Sequence, residues 1–186
     1  MDETLDGVPI PTTLVDQVAM ERSVDVDALA DLLAAMYADL VDGADAIRTH
    51  YHSEGYQAAL DVGDGLATVL FVPADQWGSP VATEYPGELY DAARAVHEAF
   101  AREQGASEEI LAEFDALVVP SETLSGLVRA GLSRRQAEVQ VLRNRGLTQA
   151  AIGERLGMAT NTVKVHCHRV DTKCEHARQL LALVEG

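Results

Sequence analysis

The sequence predicts a mainly α-helical chain in two parts: an N-terminal helical domain with one β-hairpin, then a C-terminal domain of three or four short helices. Three observations predict this. Apolar residues recur at three- and four-residue spacing over most of the chain, the mark of helices with one buried face. A single pair of strand-like runs flanks the turn Gly63-Asp64-Gly65. The charge also changes sign along the chain: residues 1–119 hold 24 acidic and 4 basic groups, net −20, whereas residues 120–186 hold 6 acidic and 10 basic groups, net +4. Such asymmetry marks two functional halves. The expected division is 1–119, a connector at 120–131, and 132–186.

In chain order, Pro9 and Pro11 mark an extended lead-in, and Thr12 or Thr13 caps a short helix reaching about Arg22. Asp25 or Asp27 caps a longer one, with Leu29, Leu32, Leu33, Met36, Tyr37 and Leu40 on one face. Gly43 is expected to end or interrupt it before about Tyr51. The hairpin follows, Tyr56–Val62 against Leu66–Val72; its second strand is apolar on both faces and so should be covered by helices. Pro73 and Pro80 bracket a loop whose Trp77 reads as an anchor onto the helical layer. Leu89, Ala93, Val96 and Phe100 define a helix ending near Gly105. Ser107 caps another, with Glu108 and Glu109 in its first turn and Ile110, Leu111, Phe114, Leu117 and Val118 as its buried stripe. Pro120-Ser121-Glu122 is the expected seam, and short helices lead from it to Ala130.

In the basic half, Ser133 and Gln136 are spaced as a capping box, opening a helix to Arg145 that Gly146 ends in the left-handed conformation. Thr148 caps a second helix, Gln149 to Leu156, Gly157 makes a sharp turn, and a third helix starts near Thr160. A helix-turn-helix needs a small residue where its second helix touches the third, a glycine four later at the turn, and a β-branched residue six beyond. Gly153, Gly157 and Val163 meet all three demands. Stepping about 100° per residue along the third helix, Val163, Cys167, Val170, Cys174, Ala177 and Leu181 form one inward stripe. Asn161, Val165, His168 and Thr172 lie opposite, flanked by Lys164 and Arg169. That outward face is the one that would enter the major groove of double-stranded DNA. Asn161, Lys164, Val165 and His168 are therefore expected to face the DNA, and Thr148, Gln149, Thr160, Thr162 and Arg169 to lie near the phosphate backbone.

Other features bound the function. No run approaches the roughly 18 apolar residues of a membrane span, and the acidic start lacks the regions of a signal peptide, so no membrane is expected and a cytoplasmic location is. Dispersed acid with only two lysines, Lys164 and Lys173, among 14 basic residues looks like a protein of a high-salt cytoplasm, such as a haloarchaeon's. Molar salt screens charges beyond about 3 Å, so such a surface is tolerable there. His166, Cys167, His168, Cys174 and His176 suggest zinc, but zinc ligands must converge on one point and these radiate around one helix; no metal and no cofactor is expected. Both cysteines read as buried, reduced thiols on the inward stripe. His50-Tyr51-His52 and His97 read as solvated partners of carboxylates rather than as a sensor site. Gly63-Asp64-Gly65 reads as a tight turn, not a phosphate loop. No nucleophile or paired-carboxylate arrangement stands out, and no enzyme is expected.

The run Leu142-Arg143-x-Arg145-Gly146-Leu147-Thr148-Gln149, with Cys174-Glu175-His176-Ala177-Arg178, resembles archaeal Tfx-type regulators. Thr162-Val163-Lys164-x-His166 is similar to the same stretch of LuxR-type helix-turn-helix proteins. The resemblance covers about Leu132–Leu183. It implies a tri- or tetrahelical domain, recognition of DNA by the third helix, and often dimerisation through the last. Gln140 departs from it, standing where such helices usually place an apolar residue, as does Ala159, where the recognition helix often has a Ser cap and where Thr160 is the substitute. The expectation is a DNA-binding transcriptional regulator acting as a homodimer, with the N-terminal part serving dimerisation, sensing or docking of a partner. The competing expectation is an acidic adaptor that uses a degenerate helix-turn-helix to dock protein.

Overall fold

The computed structural model describes residues 8–53, 60–78 and 83–185. Helix α1 (Thr12–Arg22) is followed by α2 (Val26–Ser53), whose first turn is capped by the Asp25 carboxylate accepting from Ala28 N at 2.9 Å. Leu29, Leu32, Leu33, Met36 and Leu40 of α2 are fully buried, as their spacing requires. The helix runs on past Gly43, contrary to the expected stop. A glycine inside a helix costs only about 1 kcal/mol relative to alanine, too little to end one by itself.

Strands β1 (Leu60–Asp61) and β2 (Ala67–Val72) pair antiparallel around the Gly63-Asp64-Gly65 turn. Residues 56–59 of the expected first strand lie outside the described residues, as do Pro80 and the side chains of His50-Tyr51-His52. Helices α3 (Gly87–Glu103) and α4 (Glu108–Glu113) come next, the latter capped by Ser107. The stripe expected to continue that helix through Val118 does not. Phe114 is already extended, and Asp115–Pro120 forms a third strand, β3, antiparallel to β2 from Ala67 opposite Pro120 to Val72 opposite Asp115. The reason is tertiary. Ala116-Leu117-Val118-Val119 is apolar on both faces, and as a strand it fills the gap between β2, α2 and α3 with all four side chains buried. The sheet order is β1-β2-β3. Trp77 packs edge-on against Tyr90 and His97 of α3 and donates its indole N–H to the Ala116 carbonyl at 2.6 Å, which makes it the expected anchor.

Ser121 caps α5 (Glu122–Arg129), and three further helices complete the described chain: α6 (Arg134–Asn144), α7 (Gln149–Arg155) and α8 (Thr160–Glu185). The architecture is thus mainly α with a small antiparallel sheet. Its apolar interior forms two clusters. One joins α1, α2, α3 and the sheet; the other joins Leu124 of α5 to α6, α7 and the first half of α8. Leu66, at the hairpin, belongs to the second cluster.

Candidate nucleic-acid interface

The C-terminal helices are built by local rules. Ser133 accepts from Gln136 N while the Gln136 side chain accepts from Ser133 N, so the capping box is complete. Within α6 the buried Glu138 carboxylate takes Arg134 Nε at 3.0 Å and Arg135 Nη1 at 2.9 Å. Gly146 follows α6 with φ +85°, and the Thr148 hydroxyl accepts from Ala151 N to cap α7. Gly157 turns the chain with φ +62°. A Cβ on Gly153 would stand 2.6 Å from the Met158 carbonyl oxygen, so the bare backbone here is what lets the turn into α8 pass against α7. The Ala159 carbonyl accepts from Thr162 N at 2.8 Å and from Val163 N at 3.2 Å, which puts Ala159, not Thr160, in the cap position of α8.

Val163, Cys167 and Val170 of α8 are buried against α6 and α7, as the inward stripe requires. The opposite face is open. Thr160, Asn161, Thr162, Lys164, Val165, His168 and Arg169 are all exposed on α8, and Thr148 and Gln149 are exposed at the start of α7. Val165 is apolar yet 44% exposed. Charge on this face is left uncompensated. Lys164 and Arg169 make no ion pair among the described residues, whereas Arg134, Arg135, Arg143, Arg155 and Arg178 all pair with carboxylates. Lys173 is turned away, donating to the Gly131 carbonyl at 2.6 Å and so tying α8 to the α5–α6 link. Arg143 does the same from α6, reaching Asp171 at 2.8 Å; that pairing holds its guanidinium more firmly protonated than usual. What the arrangement offers is a fixed helix with hydrogen-bonding side chains, one apolar contact and two free cations on a single outward strip.

The inward stripe stops at Val170. Cys174, expected to be buried, is exposed, and so is every described residue from Asp171 onward. Beyond Val170, α8 keeps Asp171 on Arg143 and Lys173 on the Gly131 carbonyl at its edge, while its end stands exposed. There Leu180, Leu181, Leu183 and Val184 are between 56% and 82% exposed. His97, expected to be solvated, is buried; its Nδ1 accepts from Val118 N at 2.9 Å, and burial lowers its pKa to about 3. Sequence reasoning also missed the contacts that Arg145 and Arg155 make with the hairpin turn, for which spacing gives no signal. No group of three or more His, Cys, Asp or Glu side chains is gathered as a metal ion would need among the described residues. Among them, too, no helix is long and apolar enough to cross a membrane.

Two family models match the chain. Residues 8–128 match a domain of unknown function (DUF8048), and residues 130–182 match the bacterial regulatory proteins of the luxR family. The second match makes α6, α7 and α8 a helix-turn-helix domain of the kind found in DNA-binding regulators. No curated protein and no solved structure matches the chain.

Proposed function

We propose a sequence-specific reader of duplex DNA, from the premise that this chain belongs to the DUF8048 family and ends in a luxR-type helix-turn-helix. The first half of α8 enters the major groove. Asn161 reads adenine through its amide, Val165 touches a thymine methyl, and Lys164 and His168 stand beside them. Thr148, Gln149, Thr160, Thr162 and Arg169 hold the phosphate backbone and fix the register. The N-terminal unit, residues 1–119, supplies sensing, docking or a share of dimerisation, with residues 120–131 as the link. The regulator acts in the cytoplasm and catalyses nothing.

The observation that carries this reading is the outward face of α8, where Lys164 and Arg169 make no ion pair among the described residues, on a domain whose other cations are mostly engaged. Binding of labelled duplexes, followed by anisotropy over a salt series, tests it. Lys164→Ala weakens all sequences alike. Asn161→Ala instead narrows the gap between a preferred site and random duplex, by about 1–3 kcal/mol for the lost bidentate contact. Binding that neither variant alters, with the fold intact, refutes α8 as the reader.

The same reading includes a homodimer. The overhanging end of α8 displays Leu180, Leu181, Leu183 and Val184, a surplus of apolar surface that a partner helix would cover. Pairing about a two-fold axis doubles the few base pairs that one helix can read. Light scattering of the intact chain and of a version ending at Arg178 tests this: the intact chain is a dimer and the shortened one a monomer. A monomeric intact chain refutes the dimer, and a shortened chain that stays dimeric moves the interface to the N-terminal unit.

A further inference from the structure

The hairpin turn of the N-terminal unit is built into the C-terminal domain. Leu66 is 4% exposed and packs among Leu124, Leu132 and Ile152, inside the second apolar cluster. Its carbonyl accepts from Ser121 N at 3.0 Å, at the cap of α5. The turn itself is rigid: Gly65 N donates to the Val62 carbonyl at 2.8 Å, and Asp64 Oδ1 accepts from Leu66 N at 2.9 Å. Asp64 Oδ2 then points at α7 and takes both Nε, at 2.9 Å, and Nη2 of Arg155. The two side chains are only 17% and 21% exposed, so water screens the pair weakly. From the other side, Arg145 donates to the Gly63 carbonyl at 3.2 Å and lies flat over Gly65, where any Cβ would stand 2.7 Å from its guanidinium. Three consecutive turn residues thus grip the C-cap of α6 and the last residue of α7, 82 and 91 positions away in sequence. The grip leaves the outward face of α8 uncovered.

We infer that the Gly63–Leu66 turn is a positioning element of the DNA-binding domain: Leu66 completes its core, Asp64 fixes α7 by way of Arg155, the Gly63 carbonyl fixes the end of α6 by way of Arg145, and through these two helices the turn sets the reading helix α8. The inference rests on the DNA-reading proposal for its consequence but not for its geometry. Two cations of the basic half are taken up by the turn rather than by phosphate. A change in the N-terminal unit that shifts the start of β2 reaches α7 directly, without passing along the α5 connector.

The test uses the intact chain with Asp64→Asn, Arg155→Gln and the two combined. Asn keeps the oxygen that accepts from Leu66 N, so the turn persists and only the charged grip is lost. Amide hydrogen exchange without DNA is read first. In each single variant α7 loses protection by about tenfold, and the combined variant loses no more than either, as two partners of one contact must. Protection in α3 is unchanged, and Arg155→Lys, which keeps the charge, recovers most of the loss in α7. Duplex binding is read second: Asp64→Asn narrows the preference for a selected site over random duplex by about tenfold, without weakening random duplex, because the residues proposed to hold the phosphates are untouched. Unchanged α7 exchange, or losses that add in the combined variant, overturns the inference. A wild-type chain that binds no duplex while α7 behaves as stated refutes the DNA reading and leaves the grip standing.

Discussion

Protonation of His97 is the acid-sensitive point of the N-terminal core. The ring is sealed between α3 and β3, its Nδ1 accepts from Val118 N at 2.9 Å, and Trp77 stands edge-on 5.3 Å away. Burial depresses its pKa to about 3, from the ordinary value of 6.5. The folded state therefore prefers the neutral ring. Its contribution is complete above pH 6.5 and is lost progressively as pH falls towards 3, where the unfolded chain takes up a proton that the folded chain refuses. The full gap corresponds to an upper bound of about 5 kcal/mol, and one proton gives a slope of about 1.4 kcal/mol per pH unit. His97→Asn keeps an acceptor near Nδ1 and removes the titration. In urea melts at fixed molar KCl, wild type should lose about 2 kcal/mol more than the variant between pH 6.5 and 4.5. The carboxylates titrate in both proteins and cancel in the difference. Asn leaves a void and lowers the stability of the variant at pH 7, but the slope is the readout. Parallel pH profiles refute the reasoning.

Two further outcomes follow from packing and from charge. Gly153→Val should cost about 1–3 kcal/mol in thermal or urea melts, because its Cβ must displace the Met158 carbonyl that the glycine lets pass; a variant as stable as wild type would show that the turn relaxes freely. The net −20 of residues 1–119 should make the melting temperature rise from dilute to molar KCl, as screening relieves repulsion within the folded chain; a temperature that stays flat or falls contradicts the high-salt reading.

The C-terminal domain was legible where short-range rules suffice. The capping box at Ser133 and Gln136, the cap at Thr148, and the turns at Gly146 and Gly157 each depend on near neighbours in sequence. The outward strip of α8 was legible for the same reason, since the angular step of a helix sorts Asn161, Lys164, Val165 and His168 from Val163 and Cys167. Cys174 shows the limit of that method. A helical wheel gives the direction of a side chain but not whether anything stands opposite at that height, and Cys174 is left exposed. Strand β3 was hidden because a short apolar run such as Ala116–Val119 fits a helix stripe as well as a strand, and only its pairing with β2 decides. His97 and the Asp64–Arg155 pair are tertiary facts. No local spacing tells that β3 will cover the one or that α7 will arrive beside the other.

The most direct test of the central claim is selection of bound duplexes from a randomised pool by the intact chain and by Asn161→Ala, at matched molar KCl. The account predicts that wild type enriches a defined motif and that the variant loses preference at one position of each half-site while keeping the rest. A wild-type pool that stays random, or a motif untouched by Asn161→Ala, contradicts it.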